Sequence, residues 1–276
     1  MSTVVLTGAS GFIGQVVAKK LREKRIHVIC VSRKSIKGMV QVSNYQESPL
    51  GDVLIHLGEE SNQNIANTLG MKYVNQALKT LETLCKKFKR VVYASSALVY
   101  GDQIEKPRKE EETVSPTDYY SMAKILCEKA VSRAGGVSMR LSNVFGPNIT
   151  KKNILNEILQ QIYKPGPIVV KNASPIRDFV WIDDVGEAVV TLSLEKVSGI
   201  YNIGSGQGTQ IGDLANLVLK NAGKSRKHLV ATEKRKLLSC CVLNVSKIKN
   251  HTNWIVKTSL ECGVQKLIKS KQCLHP

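Results

Sequence analysis

The sequence predicts an α/β fold built on a parallel sheet, completed by a smaller C-terminal region, and three observations carry that expectation. Short apolar runs alternate with stretches of helical spacing along the first two thirds of the chain. The first run is followed by Gly8, Gly11 and Gly14, evenly spaced. Four runs end at Gly8, Ser32, Gly58 and Ser96, and ligands of parallel sheets sit beyond such carboxyl ends.

Taken in order, Val4, Val5 and Leu6 read as a strand buried on both faces. The glycines after it read as a turn tight enough to press bare backbone N–H groups against a diphosphate, with a helix N-terminus behind. Gly14 leaves room for that helix to lie close on the strand. Ser10, Phe12 and Ile13 belong to the same turn, so with Gly8, Gly11 and Gly14 they are candidate cofactor contacts. A glycine-rich hairpin can show the same G-x-x-G-x-x-G spacing, so the turn acquires meaning only from the strands and helices downstream of it.

Residues 15–24 have amphipathic spacing, with Val16, Val17 and Leu21 inward. A second strand over 26–31 runs out through Ser32, Arg33 and Lys34. An acid there would accept hydrogen bonds from a ribose diol and repel a 2′-phosphate. Two cations stand there instead, so the expected cofactor is NADP rather than NAD; the plainer alternative is a charged strand exit. A small strand is expected at 39–42 and another over 52–58, interrupted by His56, which reads as a hydrogen-bonded core residue. Leu57 and Gly58 end it where a cofactor's backbone would pass. Residues 65–87 read as helix and 90–94 as a strand finishing in Ser95 and Ser96.

The charged stretch 103–117, with Pro107 and Pro116, predicts a loop over the sheet edge. Asp118 or Thr117 can cap a helix starting near Tyr119 and carrying Tyr120, Lys124 and Glu128. A strand over 137–141 leads to Asn143 and a turn at Gly146 and Pro147. Helices are expected at 154–162 and 211–220, and short strands at 168–170 and 201–203. The stretch 177–185 is apolar in the middle and charged at both ends. The expected organisation is a dinucleotide-binding domain over 1–145, rejoined by about 178–203, and a small substrate-binding domain from 146–177 and 204–276.

Composition narrows the classes. A 276-residue chain with 42% hydrophobic residues can bury a sizeable core. It opens directly on a strand, without a basic-then-apolar leader or an apolar stretch long enough to cross a bilayer, so the cytoplasm is the expected compartment. The seven cysteines form no C-x-x-C pair, and no metal site is expected. The formal charge of +18 would suit nucleic acid, but aromatic residues are only 5%, too few for base-stacking platforms. A solvated lysine-rich surface, or a field drawing small polyanions into a cleft, fits better.

Tyr120 and Lys124 are four apart on one helix face. A phenol is a poor base at neutral pH, and a neighbouring ammonium favours its phenolate. Ser96, leaving the fourth strong strand, can hold the same substrate oxygen against the phenol. The trio would relay a proton at a carbinol oxygen while a hydride moves at the attached carbon.

These residues also carry a resemblance. T-G-A-S-G-F-I-G at 7–14, D-V-L-I-H-L-G at 52–58, S-S-A-L-V-Y-G at 95–101, Y-Y-S-M-A-K at 119–124, N-V-F-G-P at 143–147, R-D-F-V-W-I-D-D-V at 177–185 and Y-N-I-G-S-G at 201–206 resemble the extended short-chain dehydrogenase/reductase family, in its nucleotide-sugar epimerase, dehydratase and reductase branch. The resemblance implies a Rossmann-type sheet, catalytic Ser96, Tyr120 and Lys124, and a second role for Lys124 on the nicotinamide ribose. It implies that Asn143 and Arg177 contact the phosphates of a nucleoside-diphosphate sugar, with Arg235 as a second arginine, and that the protein is a homodimer. Ala97 and Leu98 stand where dehydratases of the branch carry acids, which argues against water elimination. Two reactions remain. The basic strand exit favours NADPH-dependent reduction of a 4-keto-6-deoxy sugar nucleotide at C4, and the alternative is NAD(P)-dependent C4 epimerisation.

Overall fold

The structure is a computed structural model that describes residues 3–148, 153–233 and 238–272. The first half of the chain alternates strand and helix: β1 (Thr3–Thr7), α1 (Phe12–Glu23), β2 (His27–Ser32), β3 (Val40–Gln41), β4 (Val53–His56), α2 (Gln63–Leu69), α3 (Met71–Lys87), β5 (Arg90–Ser96), α4 (Tyr119–Arg133) and β6 (Val137–Leu141). The second half adds β7 (Asn143–Phe145), α5 (Ile154–Gln161), β8 (Ile168–Val170), β9 (Ile176–Trp181), α6 (Ile182–Leu194), β10 (Gly199–Ile203), β11 (Gly208–Gln210), α7 (Ile211–Asn221), β12 (Leu229–Ala231), β13 (Cys240–Cys241), α8 (Ser246–His251) and α9 (Leu260–Gln272).

Seven strands form one parallel sheet in the order β10-β6-β5-β4-β1-β2-β3, the Rossmann-type arrangement the sequence predicts. Alternation along each strand feeds two cores. Val4 and Leu6 of β1 face a cluster that includes Val17 and Leu21 of α1 and Val185 and Val189 of α6. Val5 of the same strand faces Val74, Leu81 and Leu84 of α3 and Ala123 and Cys127 of α4. Each β1 side chain in this stretch is fully buried, which is why the run reads as continuously apolar rather than alternating.

A third apolar cluster lies under a second group of elements, around Phe145, Trp181 and the helices α5, α7 and α9. There β9 pairs with β7 and β13 in parallel and with β11 antiparallel. Asp178, fully buried in β9, ties this group to the main sheet's carboxyl edge. Its carboxylate accepts the N–H groups of Ser205, Gly206 and Leu243 at 2.7, 3.1 and 3.2 Å, and the Ser205 hydroxyl at 2.7 Å. Burial raises its pKa above the ordinary value, and those hydrogen bonds work against the rise.

The structure departs from the sequence reading in two places. The helical stretch 65–87 is two helices, broken at Gly70, whose φ of +58° suits glycine. The stretch 177–185 is half strand and half helix. The chain turns from β9 into α6 at Trp181–Ile182, and the Trp181 indole N–H donates to Asp183 in the first turn of α6 at 2.7 Å. Asp183 and Asp184 there complement the helix dipole.

Candidate active site

The glycine turn is held by close approach. Gly8 has a φ of +70°, and a Cβ on it would lie 2.6 Å from the Leu57 carbonyl oxygen. A Cβ on Gly14 would fall 2.1 Å from the Gly8 carbonyl oxygen, so α1 packs directly on the turn. Gly11 is the N-cap of α1 and no side chain accepts from the first turn, which leaves its N–H groups facing a ligand position. These features are a cradle that any larger side chain would fill, and they fit a dinucleotide diphosphate. The cleft in front has a volume of about 450 Å³.

Of the candidate cofactor contacts, Gly8, Ser10, Gly11, Phe12, Ile13 and Gly14 line this cleft on one side. Arg33, Leu57 and Gly58 line it on the side of β2 and β4, and Ser96, Tyr120 and Lys124 border it at the ends of β5 and α4. Ser32 lies behind the lining, buried, its hydroxyl 3.2 Å from that of Ser10 and accepting the Lys34 N–H at 3.0 Å. Lys34 is exposed and outside the cleft wall.

Helix α4 is set by its neighbours. Asp118 caps it through the Ser121 N–H at 2.7 Å, in a reciprocal capping box with the Ser121 side chain. Asn67 of α2 accepts the Tyr120 N–H at 2.9 Å and donates to Asp118 at 3.0 Å. Tyr120, Lys124 and Glu128 then fall on one buried face. Glu128 takes two hydrogen bonds from Arg140 of β6, at 3.0 and 2.8 Å, and one from the Ser95 hydroxyl. This buried ion pair fixes the end of β5 next to Ser96. The Ser96 oxygen accepts the Leu98 N–H at 3.2 Å, which leaves its proton for another acceptor.

Glu59 and Tyr45, two residues that the sequence reading passed over, shape the cleft, the first by its charge and the second by its ring. Glu59, immediately after the β4 exit, meets Lys124 at 2.7 Å. Tyr93 donates its hydroxyl to the same Glu59 oxygen at 2.7 Å. Burial opposes the ammonium, but Glu59 and the neighbouring tyrosines hold the Lys124 pKa above its ordinary value. Burial likewise opposes the Glu59 carboxylate, and Lys124 and His56 bring its pKa below ordinary. His56 is buried, as the sequence suggests, with Nδ1 2.7 Å from the Thr7 hydroxyl. Burial pushes its pKa down to about 4, against a smaller upward pull from Glu59. It also borders the cleft.

Tyr45 is the second. Its ring would sit 2.3 Å from a Cβ on Gly58, which explains glycine at this position. The Arg33 guanidinium lies over the same ring, 5.2 Å from its centroid.

A second cleft, also about 450 Å³, opens on the other side of Asn143, which lines both. Asn143 donates to the Asp178 carbonyl at 3.1 Å. Arg177 lines the second cleft and is held by Asp102 at 3.1 Å and by the Ser239 hydroxyl at 2.7 Å. Arg235 lies outside the described residues.

The chain belongs to the NAD dependent epimerase/dehydratase family, whose model matches residues 4–204. Among relatives, it is 22% identical to a putative UDP-glucose 4-epimerase of Methanocaldococcus jannaschii, over 96% of this chain and 97% of the relative. It is 25% identical to a dTDP-4-dehydro-6-deoxyglucose reductase of Escherichia coli, over 98% of each. Its fold is similar to that of the Thermotoga maritima UDP-glucose 4-epimerase solved with UDP-glucose (TM-score 0.87, 20% identity, 99% of this chain and 100% of the other). It is also similar to the Thermus thermophilus UDP-glucose 4-epimerase in complex with NAD (TM-score 0.85, 21% identity, 98% and 99%).

The NADP expectation is overturned by these comparisons. NAD is the dinucleotide in the Thermus structure and in MoeE5 with UDP-glucose, a further neighbour at TM-score 0.85 and 18% identity over 99% of each chain. The physical reason lies at the β2 exit. A missing acid and two cations suggested a phosphate site, yet the Arg33 guanidinium lies over the Tyr45 ring and Lys34 is outside the cleft wall, so the two cations do not converge on one position in the cleft.

Proposed function

We propose that this family member is an NAD-dependent epimerase of nucleoside-diphosphate sugars, acting at the C4 carbinol. The observation that carries the reading is that Ser96, Tyr120 and Lys124 border the same cleft as the glycine turn, while Asn143 is shared with the cleft containing Arg177. Bound NAD would supply the hydride acceptor and donor. Gly8, Gly11 and Gly14 with the N-terminus of α1 would hold its diphosphate, and Lys124 its nicotinamide ribose.

In this reading the Tyr120 oxygen takes the proton from the sugar's C4 hydroxyl and later returns it to the C4 oxygen. Ser96 donates its free proton to that oxygen and fixes it against the phenol. Lys124, with its Nζ 5.6 Å from the Tyr120 ring centroid, favours the phenolate that accepts the proton. Asn143 and Arg177 would orient the diphosphate so that either face of C4 can be presented. Ala97 and Leu98 supply no acid for water elimination.

The test is mass spectrometry and NMR of products from a panel of nucleoside-diphosphate hexoses incubated with NAD-loaded protein, run beside 4-keto-6-deoxy sugar nucleotides incubated with the protein and added NADH or NADPH as hydride donor. The expected result is an isomer of unchanged mass with C4 inverted. A gain of two mass units in a 4-keto sugar, with no isomerisation of any hexose, would contradict epimerisation and select reduction.

A further inference from the structure

The cleft contains a carboxylate for which the proton relay of Ser96, Tyr120 and Lys124 has no use. Glu59 is almost enclosed, with 10% of its side chain exposed, and its partner Lys124 shows 6%. One carboxylate oxygen receives both the Lys124 ammonium and the Tyr93 hydroxyl at 2.7 Å. The other faces His56 Nε2 at 4.0 Å and Cys127 Sγ at 3.8 Å. On its far side the ammonium donates to the Ala94 carbonyl at 2.9 Å. An ammonium has three donors, so two are committed within the chain and one remains for a ligand in the cleft.

We propose that Glu59 is a positioning residue of this site: its carboxylate pins the Lys124 ammonium against the Ala94 carbonyl and offsets the ammonium's charge at the Tyr120 phenol. The inference rests on the epimerase reading in taking Tyr120 as the proton-transfer group. The geometry leaves little else to set the local charge. His56 from β4 titrates at about 4 and is neutral near pH 7. Tyr93 from β5, Tyr73 from α3 and Cys127 from α4 all have pKa values raised by burial, so they too are neutral. Arg33, over Tyr45 at the β2 exit, is the other cation whose charge is felt at His56. Near neutral pH, Glu59 is therefore the negative charge that Lys124 meets.

Charge at this distance has a predictable sign. A carboxylate beside the Tyr120–Lys124 pair favours the state in which both groups keep their protons. Removing it makes the pair release its first proton at lower pH, whichever of the two residues loses it. A charge a few ångströms away in a partly screened site is worth about one pH unit or more.

The experiment is a pH titration of Glu59→Gln by ¹³C NMR of the Lys124 ε carbon and the Tyr120 ζ carbon, assigned with Lys124→Met and Tyr120→Phe, in protein without added sugar. The expected result is a first midpoint about one unit or more below that of the unsubstituted protein. The acid limb of kcat should move in the same direction wherever turnover is measurable. Glu59→Asp keeps the charge but withdraws it by one methylene, so its midpoint should fall between the two. It is the deciding variant if Glu59→Gln does not fold.

A first midpoint unmoved in folded Glu59→Gln, or in Glu59→Asp if that is the variant that folds, would overturn the proposal, even if melting temperature fell. Failure to convert any nucleotide sugar would instead count against the functional reading alone, because the NMR midpoints are read without substrate.

Discussion

Tyr120→Phe is expected to lower kcat by about a thousandfold or more, the scale on which a positioned proton-transfer group contributes, while leaving NAD affinity within about threefold. The ring packs in the cluster beneath α3 and α4, and Phe keeps that contact. The backbone N–H that anchors the start of α4 to Asn67 is also unchanged. Only the hydroxyl is lost, and with it the atom that would carry the C4 proton. Steady-state kinetics paired with calorimetric titration of NAD separates the two effects. Turnover within tenfold of the unsubstituted enzyme would remove Tyr120 from the chemistry and leave Ser96 and water to account for it.

Gly14→Ala should act at the opposite end of the cleft and on binding rather than chemistry. Its Cβ would meet the Gly8 carbonyl oxygen at 2.1 Å and the Ala9 Cα at 2.9 Å. Both are backbone atoms, so no side chain can rotate aside, and either α1 or the turn must move. Overpacking of this kind costs about 1–3 kcal/mol of stability. The displacement would also spoil the cradle at the first turn of α1. NAD affinity is expected to fall about a hundredfold or more, equivalent to about 2.8 kcal/mol. Thermal unfolding and NAD titration on the same preparation measure both losses. Unchanged NAD affinity would show that the diphosphate does not rest on this turn.

The carboxyl-edge geometry was legible in the sequence because it depends on local patterns. Apolar runs buried on both faces, glycines where backbone meets backbone, and small residues at strand exits each leave a short signature. Gly8, Gly58 and Ser96 accordingly meet at one cleft. The capping of α4 by Asp118 was readable for the same reason, since cap and helix lie within four residues.

What escaped depends on contacts between distant positions. Glu59 reads as one more charge in a loop until Lys124, 65 residues later, folds over it. Arg33 reads as a phosphate ligand until Tyr45 supplies a ring beneath it. The pairing of Cys240–Cys241 with Ile176–Arg177, and the Asp178 carboxylate reaching Leu243, join segments more than sixty residues apart. The start of α6 was hidden differently. Trp181 and Ile182 stay apolar across the change from strand to helix, with no glycine or proline to mark it. The Glu59–Glu60 pair directly after a buried strand was the one available signal, since carboxylates there in a chain of +18 point to a local cation.

Epimerisation by transient oxidation requires that the hydrogen leaving C4 return to C4 of the same sugar. The most direct measurement uses a nucleoside-diphosphate hexose that the protein converts, deuterated at C4, and follows the label in the epimer. The predicted result is that the product keeps its deuterium at C4 and that reaction of the unlabelled sugar in D₂O introduces none there. Loss of the label to solvent, or its appearance from D₂O, would show that C4 is deprotonated rather than oxidised, and would contradict this mechanism.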